Sequence, residues 1–225
     1  IGLIVGLLCG VFNGVLVTTI GLPSIVVTIG TMSLFRGLAQ VVLGDQAVTT
    51  YPPGFSTVGQ GYLIKWPPVA YSFALFLVLA AVFAVVLHRT ATGRKLFAIG
   101  NNPIAAQFSG IAVDRMKLAL FSLTGLMAGL AAVLLTSRIG STRSNIALGW
   151  ELDIITMVIL GGVSIAGGVG SIGGVVLAVF VLGLATLALS LVNVPGIVIS
   201  VLMGLLLIVS IAAPIIIRRV MGFRA

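Results

Sequence analysis

Charged residues are scarce in this 225-residue chain, at 7% of all positions against roughly 25% in soluble domains. Hydrophobic residues make up 60% of it, and its mean hydropathy is +1.31. A soluble globular protein is therefore excluded, and we expect the chain to lie in a lipid bilayer. The net charge of +8 does not indicate a nucleic-acid-binding protein, because the basic residues collect in a few segments between apolar runs.

The residue types that carry chemistry are also few. The only cysteine, Cys9, lies in an apolar run, which excludes a disulfide framework and a thiol-metal site. The only histidine, His88, lies at a helix end, and the four acidic residues are scattered. No phosphate-binding loop occurs, because GQGYLIK (59–65) has the wrong spacing. We therefore expect neither a metal site nor an enzyme, and any ATP and Mg²⁺ would be bound by another subunit.

Seven apolar segments are candidates to cross the hydrocarbon core, which takes about 20 residues of helix. They are residues 1–20, 25–43, 67–87, 118–136, 154–170, 172–191 and 196–217, with an extramembrane loop at 44–66. The fifth is doubtful, because seven of the fifteen residues in LGGVSIAGGVGSIGG (160–174) are glycine. The sequence thus predicts an all-α, polytopic transmembrane helical bundle of six or seven spans, one of them broken by glycine, in a single domain of residues 1–225. A helix broken at mid-depth often lines a substrate path.

The basic residues predict the orientation. Strict alternation of the seven spans places segments 88–117 and 218–225 on one side of the membrane, and these hold eight of the twelve basic residues: Arg89, Arg94, Lys95, Arg115, Lys117, Arg218, Arg219 and Arg224. The loops on the other side, 44–66 and 137–153, have balanced charges. By the positive-inside rule, segments 88–117 and 218–225 face the cytoplasm.

Small residues recur at every fourth position in two regions, a spacing that lets two backbones approach closely in a membrane. We interpret both series as helix-packing seams. The first consists of Gly2, Gly6, Gly10 and Gly14, and the second of Gly162, Ala166, Gly170, Gly174 and Ala178. The pair Gly125 and Gly129 is explained equally well by chance in a chain with 29 glycines.

Four polar residues are candidates for the translocation path. Arg36 lies near the middle of its span, where an arginine is costly, so it faces a cavity or partner or else reaches the interface. Asn13 is interpreted first as an amide bridge between helices and second as a substrate contact. Glu151 and Asp153 begin a helix, where acids complement the helix dipole, and they could also meet a ligand or its delivery protein at the outer mouth.

The polar stretch GNNPIAAQFSGIAV (100–113) predicts a turn at Asn-Asn-Pro, followed by one or two turns of helix that Gly110 ends. Basic residues flank this short helix on both sides. We expect it to lie across the cytoplasmic surface and to present small residues to the groove of a partner. An ordinary amphipathic surface helix is the alternative.

The stretch TATGRKLFAIGNNPIAAQFSGIAV (90–113) resembles the cytoplasmic loop of the permeases of bacterial ABC importers for monosaccharides, the ribose, xylose, arabinose and rhamnose type that also includes autoinducer-2 uptake. FNGVLVTTIGLPSIVVTIGTMSLFRGLAQ (12–40) and GWELDIITMVILGGVSIAGGVGSIGG (149–174) are similar to the same family. The resemblance covers essentially the whole chain. It also implies a missing N-terminal part of about a third of the protein, so we expect this chain to be a fragment.

The resemblance implies how the loop functions. It corresponds to the Glu-Ala-Ala motif that docks on the ATPase, with Ala105, Ala106 and Gly110 at its small positions and Ile104 in place of the glutamate. The coupling segment within 88–117 then consists of Asn102, Pro103, Ala105, Ala106, Gly110 and Ile111. The implied partners are a cytoplasmic ABC ATPase, a second permease copy or paralogue and a periplasmic sugar-binding protein, all acting at the bacterial inner membrane.

Two other transporter classes are alternatives. A branched-chain amino-acid ABC permease has similar loops and would differ in its substrate. A secondary transporter needs acidic or histidine residues within its spans to couple protons or sodium, and no predicted span contains an acid. A membrane-embedded enzyme would require clustered histidines or carboxylates.

Overall fold

The computed structural model describes residues 1–44, 46–52, 54–65 and 68–220, without the side chains of residues 58, 64, 65, 68 and 213–220. The described part has ten α-helices and one two-stranded hairpin, and the predicted all-α class is confirmed. The elements are α1 (Gly2–Thr18), α2 (Ser24–Leu43), α3 (Phe55–Gln60), β1 (Tyr62–Lys65), β2 (Pro68–Ala70), α4 (Tyr71–Arg89), α5 (Ala91–Asn101), α6 (Pro103–Phe108), α7 (Val113–Ile139), α8 (Trp150–Leu160), α9 (Ile172–Leu191) and α10 (Gly196–Val220).

Each of the seven predicted spans contains a helix. In the described residues, α2, α4, α7 and α9 are long and apolar enough to cross a membrane, whereas α1 and the stretch Gly196–Ala212 of α10 are shorter apolar helices. Helix α8 has only 11 residues. At a rise of about 1.5 Å per residue it covers about half of a 30 Å hydrocarbon core. The doubtful fifth span, residues 154–170, therefore contains a short helix that ends at Leu160, which agrees with the predicted glycine break.

The helices expose large apolar side chains along much of their length. Val41 is 84% exposed, Leu177 67% and Val78 58%, and no residue of α4 is buried. Such a surface is unfavourable in water and favourable against lipid tails.

The chain divides into two compact units. The first comprises Ile1–Leu79 and Gln107–Ile146, and the second comprises Ala80–Ala106 and Ala147–Ala225.

In the first unit, the glycine face of α1 packs directly on α7. A methyl group added to Gly6 would lie 2.5 Å from the carbonyl oxygen of Gly125, and one added to Gly10 would lie 3.0 Å from the Gly125 Cα. Gly129 meets Gly2 in the same way. The first predicted seam is confirmed, and the interpretation of Gly125 and Gly129 as chance is wrong, because these glycines form the opposite side of that seam.

The segment between α2 and α4, predicted as a loop, contains α3 and the β1–β2 hairpin. Its antiparallel strands place Tyr62 opposite Ala70, so α4 begins at Tyr71 rather than at the predicted residue 67. Ser137, near the end of α7, is fully buried; its hydroxyl accepts a hydrogen bond from the Gly59 amide at 2.7 Å and donates one to the Phe55 carbonyl at 2.5 Å. These bonds fasten α3 to α7.

In the second unit, α8 and α9 are joined by a glycine-rich turn, residues 161–170. Gly162, Gly167 and Gly168 have positive φ angles of 86°, 89° and 74°, which glycine adopts without strain. The second predicted seam is therefore wrong as a continuous helix face, because Gly162, Ala166 and Gly170 lie in this turn. The other two members lie on α9: a methyl group added to Gly174 would overlap the Gly161 carbonyl at the end of α8, and Ala178 is buried.

Candidate functional site

Helix α5 folds back against the end of α4. Gly93 is buried, and a methyl group there would overlap the Leu87 carbonyl, so only glycine permits this approach. The Thr90 hydroxyl donates to the Val86 carbonyl at 2.6 Å and accepts from the Gly93 amide at 3.4 Å, which caps α5. The rings of His88 and Phe97 stack with centroids 6.2 Å apart. The corner between the two helices is thus held by backbone and side-chain contacts.

Asn102 links α5 to the short helix α6. Its backbone amide donates to the Ala98 carbonyl at 3.1 Å and ends α5, while its side-chain oxygen accepts from the amides of Ile104 and Ala105, both at 3.0 Å. Pro103 occupies the first position of α6, where a missing N–H costs nothing. The turn and short helix predicted from Asn-Asn-Pro are therefore confirmed.

The exposure of α6 differs from the expected one. Ala106, expected to face a partner, is only 4% exposed, whereas Ala105 is exposed. Ile104 is 66% exposed and Phe108 90%. Phe108 is not among the predicted coupling residues, although its spacing from Ile104 indicates a shared surface, because apolar residues four apart lie on the same face of a helix.

Gly110 adopts a conformation that favours glycine. Its φ angle is +81°, and no atom of the described residues lies within 4 Å of a methyl group built on it, so its close approach to a partner stays a prediction. Its amide donates to the Gln107 carbonyl at 3.0 Å, which ends α6 as predicted. Ile111 follows it and is half-buried. Helix α7 begins at Val113, so its first turn, which includes Asp114 and Arg115, lies within the predicted coupling segment 88–117.

Two of the candidate path residues lie in the first unit. Asn13 is half-buried on α1, and its side-chain oxygen is buried without a hydrogen-bond partner among the described residues. The expected bridge between helices is therefore not made by this oxygen within that part of the chain. Arg36 is half-buried on α2. The role of either residue in a path stays a prediction.

The other two, Glu151 and Asp153, lie in the second unit in the first turn of α8, as predicted. The Glu151 carboxylate accepts a hydrogen bond from the Gly149 amide at 3.1 Å. This contact supports the capping interpretation, since it satisfies an amide that precedes the helix. The contact of these acids with a ligand stays a prediction.

Comparison with known proteins finds a family and several relatives for this chain. A family model described as branched-chain amino acid transport system / permease component matches residues 1–211. The autoinducer 2 import system permease protein LsrD of Yersinia enterocolitica is 38% identical over 212 residues, 92% of this chain and 63% of that protein. LsrD of Photorhabdus temperata is 36% identical over 213 residues, with the same coverage of both chains. LsrD of Salmonella typhimurium is 38% identical over 212 residues, 93% of this chain and 64% of the relative.

The chain thus spans just under two thirds of the length of these relatives, at 63–64%. No solved structure matches it. The family match covers every described helix through α9 and most of α10. Together with the apolar helices, it assigns the chain to a multi-pass protein of the bacterial inner membrane, and the chain belongs to the family of permease components described as the branched-chain amino acid transport system.

Proposed function

We propose that this protein is the permease subunit of an ATP-driven importer and forms the membrane path for autoinducer 2 or a chemically similar small sugar. The observation that supports this most strongly is helix α6, a capped short helix with exposed apolar residues in a loop that resembles the ATPase-docking loop of sugar importers. The names of the three relatives support the substrate class. ATP and Mg²⁺ are bound by a separate ATPase subunit, and this chain contributes no catalytic residue.

The docking surface proposed here differs from the one expected from sequence. The surface that faces the ATPase consists of Ile104, Ala105 and Phe108. Ala106 is buried within the permease and does not belong to this surface. Phe108 has the largest apolar area to lose from water, because it is 90% exposed. An aromatic residue that fills a partner's pocket commonly carries much of the binding energy of an interface. Asn102 and Pro103 set the direction in which α6 presents this surface.

Replacing Phe108 tests the docking proposal. Phe108→Asp removes the apolar anchor and places a charge in the contact, so ATPase recovered with the purified permease should fall at least about tenfold. Phe108→Leu keeps an apolar side chain and should retain most of the complex. Because position 108 is exposed, neither variant should lower the amount of permease in the membrane. ATPase binding by Phe108→Asp equal to that of the unaltered protein would refute this docking surface.

The remaining partners follow from the same proposal. A second permease copy or paralogue completes the path, and a periplasmic binding protein delivers the substrate from the outer side. The exposed apolar faces of the helices leave area for a second permease as well as for lipid.

Uptake separates the sugar importer from the branched-chain amino-acid alternative. Uptake of autoinducer 2, labelled ribose and labelled leucine is measured in cells that express the complete transporter and in cells that lack only the gene for this permease. We expect loss of autoinducer 2 or ribose uptake and unchanged leucine uptake. Loss of leucine uptake alone would favour the amino-acid permease. Sugar uptake that continues when ATP is depleted, and stops when the proton gradient is dissipated, would favour a secondary transporter.

A further inference from the structure

The end of α5 lies directly against the glycine-rich turn between α8 and α9, and all of these residues belong to the second compact unit. A methyl group added to Gly100 would lie 3.0 Å from the Gly168 Cα and 3.4 Å from the Gly167 carbonyl carbon. A methyl group on Gly167 would lie 2.5 Å from the Gly100 carbonyl oxygen. The two backbones are therefore in van der Waals contact, with no side chain between them.

Asn101 adds a side-chain contact to this backbone contact. A methyl group built on Gly168 would overlap the side-chain oxygen of Asn101 and lie 3.1 Å from its backbone nitrogen. The amide group of Asn101 thus covers the Gly168 Cα, and a larger residue at 168 would displace it.

The turn is itself braced by hydrogen bonds. The Gly162 amide donates to the Ile159 carbonyl at 2.9 Å, and the Ser164 amide donates to the Val169 carbonyl at 3.0 Å. The Gly167 amide donates to the Ser164 carbonyl, also at 3.0 Å. The turn is consequently a defined structure rather than a loose connection, and a force applied at Gly168 acts on the whole of it.

The turn is also packed tightly between the helices that it joins. A methyl group on Gly161, at the end of α8, would lie 2.5 Å from the Val175 Cα in the first turn of α9. Glycine contacts of this kind leave no rotatable side chain that could absorb a displacement. A shift of the turn is therefore passed to both α8 and α9.

The other end of the chain of contacts is α6. Asn102 ends α5 with its backbone and caps α6 with its side chain, so the two helices meet at one residue next to Asn101. Gly93 holds the opposite end of α5 against α4. Helix α5 is thus a short element that is fixed at both ends and connects α6 to the turn.

We propose that Gly100, Asn101 and Gly168 form a joint through which movement of α6 is transmitted to α8 and α9. The inference rests on the proposed function, in which the ATPase moves α6. The three residues are positioning residues: they contact neither ATP nor substrate. The joint keeps the turn in register with α5, so that the ATPase cycle changes the position of the two helices that begin and end at the glycine break.

The test measures how much ATP is hydrolysed for each molecule of autoinducer 2 imported, in proteoliposomes that contain the permease, its ATPase and its binding protein. Gly100→Ala separates the two backbones, because its methyl group would lie 3.0 Å from the Gly168 Cα. This variant should raise the ATP hydrolysed per molecule at least about tenfold, a change of the size usual for coupling between sites. The matched control is Gly183→Ala in α9, where no atom of the described part of the chain lies within 4 Å of the new methyl group.

A second variant distinguishes the joint from general damage to the fold. Asn101→Ala removes the side-chain atoms that lie against Gly168. It adds no bulk and should fold, and it should raise the ratio about fivefold, at the lower end of such coupling effects. This variant decides the question if Gly100→Ala does not accumulate.

The outcomes separate this inference from the proposed function. If the ATPase does not co-purify with the unaltered permease, the proposed function fails. If it co-purifies with every variant and the ATP hydrolysed per molecule is unchanged in Gly100→Ala and Asn101→Ala, the joint is refuted and the proposed function stands.

Discussion

Ser137 shows how much a single polar residue decides in an apolar chain. It is 0% exposed, and its hydroxyl pairs with the Gly59 amide and the Phe55 carbonyl. Both partners are backbone groups, and burying such a group without a hydrogen bond destabilises the folded protein. The Gln60 side chain reinforces the attachment by donating to the Arg138 carbonyl at 3.0 Å. The segment 55–60 is therefore held to α7 by bonds that one substitution can remove.

Ser137→Ala leaves the Gly59 amide and the Phe55 carbonyl without their partner, at a cost of about 1–3 kcal/mol. We expect a lower temperature of thermal unfolding in detergent. The control is Ser33→Ala, because Ser33 is exposed and its hydroxyl only bonds back to the Ile29 carbonyl of its own helix at 3.4 Å. Equal unfolding temperatures for the two variants would mean that the buried bonds do not stabilise the protein.

The burial of Ala106 limits what its replacement can show. Because it is 4% exposed, Ala106→Glu would bury a charge within the permease and destabilise it irrespective of any partner. A transport defect in that variant would therefore not identify a docking site. Exposed Phe108 is the informative position, since its replacement tests binding without disturbing the packing beneath α6.

At the scale of the helix, glycines differ in their effect on stability between α1 and α2. Gly6 and Gly10 touch the backbone of α7, whereas no atom among the described residues lies within 4 Å of a methyl group built on Gly30 or Gly37 of α2. Glycine lowers the stability of a helix interior by about 1 kcal/mol relative to alanine. Of these two helices, α1 offsets that cost by close packing and α2 does not.

Gly6→Ala should destabilise the protein, because the new methyl group would lie 2.5 Å from the Gly125 carbonyl oxygen and force α1 away from α7. Gly30→Ala should have no effect or should stabilise by up to about 1 kcal/mol through helix propensity. Thermal unfolding of both variants in the same detergent provides the measurement. A loss of stability in Gly30→Ala as large as that in Gly6→Ala would show that backbone proximity is not the cause.

At the scale of the whole molecule, the distribution of basic residues predicts which segments face the cytoplasm. Single cysteines are introduced in a Cys9→Ser background at Ala91, which precedes the basic pair Arg94 and Lys95, and at Thr49, which lies in the opposite loop. Both positions are exposed. An impermeant maleimide should label Thr49→Cys in intact cells and Ala91→Cys only after the inner membrane is permeabilised. The reverse pattern would overturn the orientation.

Much of the architecture was predictable because it depends on local properties. An apolar run of about 20 residues becomes a helix in a membrane, since every backbone group must find its partner within the segment. Gly161 and Gly162 end α8, and Asn102 with Pro103 starts α6, because these residue types favour such conformations wherever they occur. The family could be predicted for the same reason, since its resemblance lies in these linear stretches.

The sequence by itself thus determined the spans, the glycine break, the short helix between basic segments and the class of protein. Only the tertiary structure decided which side of α6 is buried, which glycines oppose Gly6 and Gly10, and that Ser137 fastens α3 to α7. The physical reason is that burial and close approach depend on atoms distant in sequence. Gly100 and Gly168 touch although 68 positions separate them, and neither carries a side chain whose type could indicate its partner.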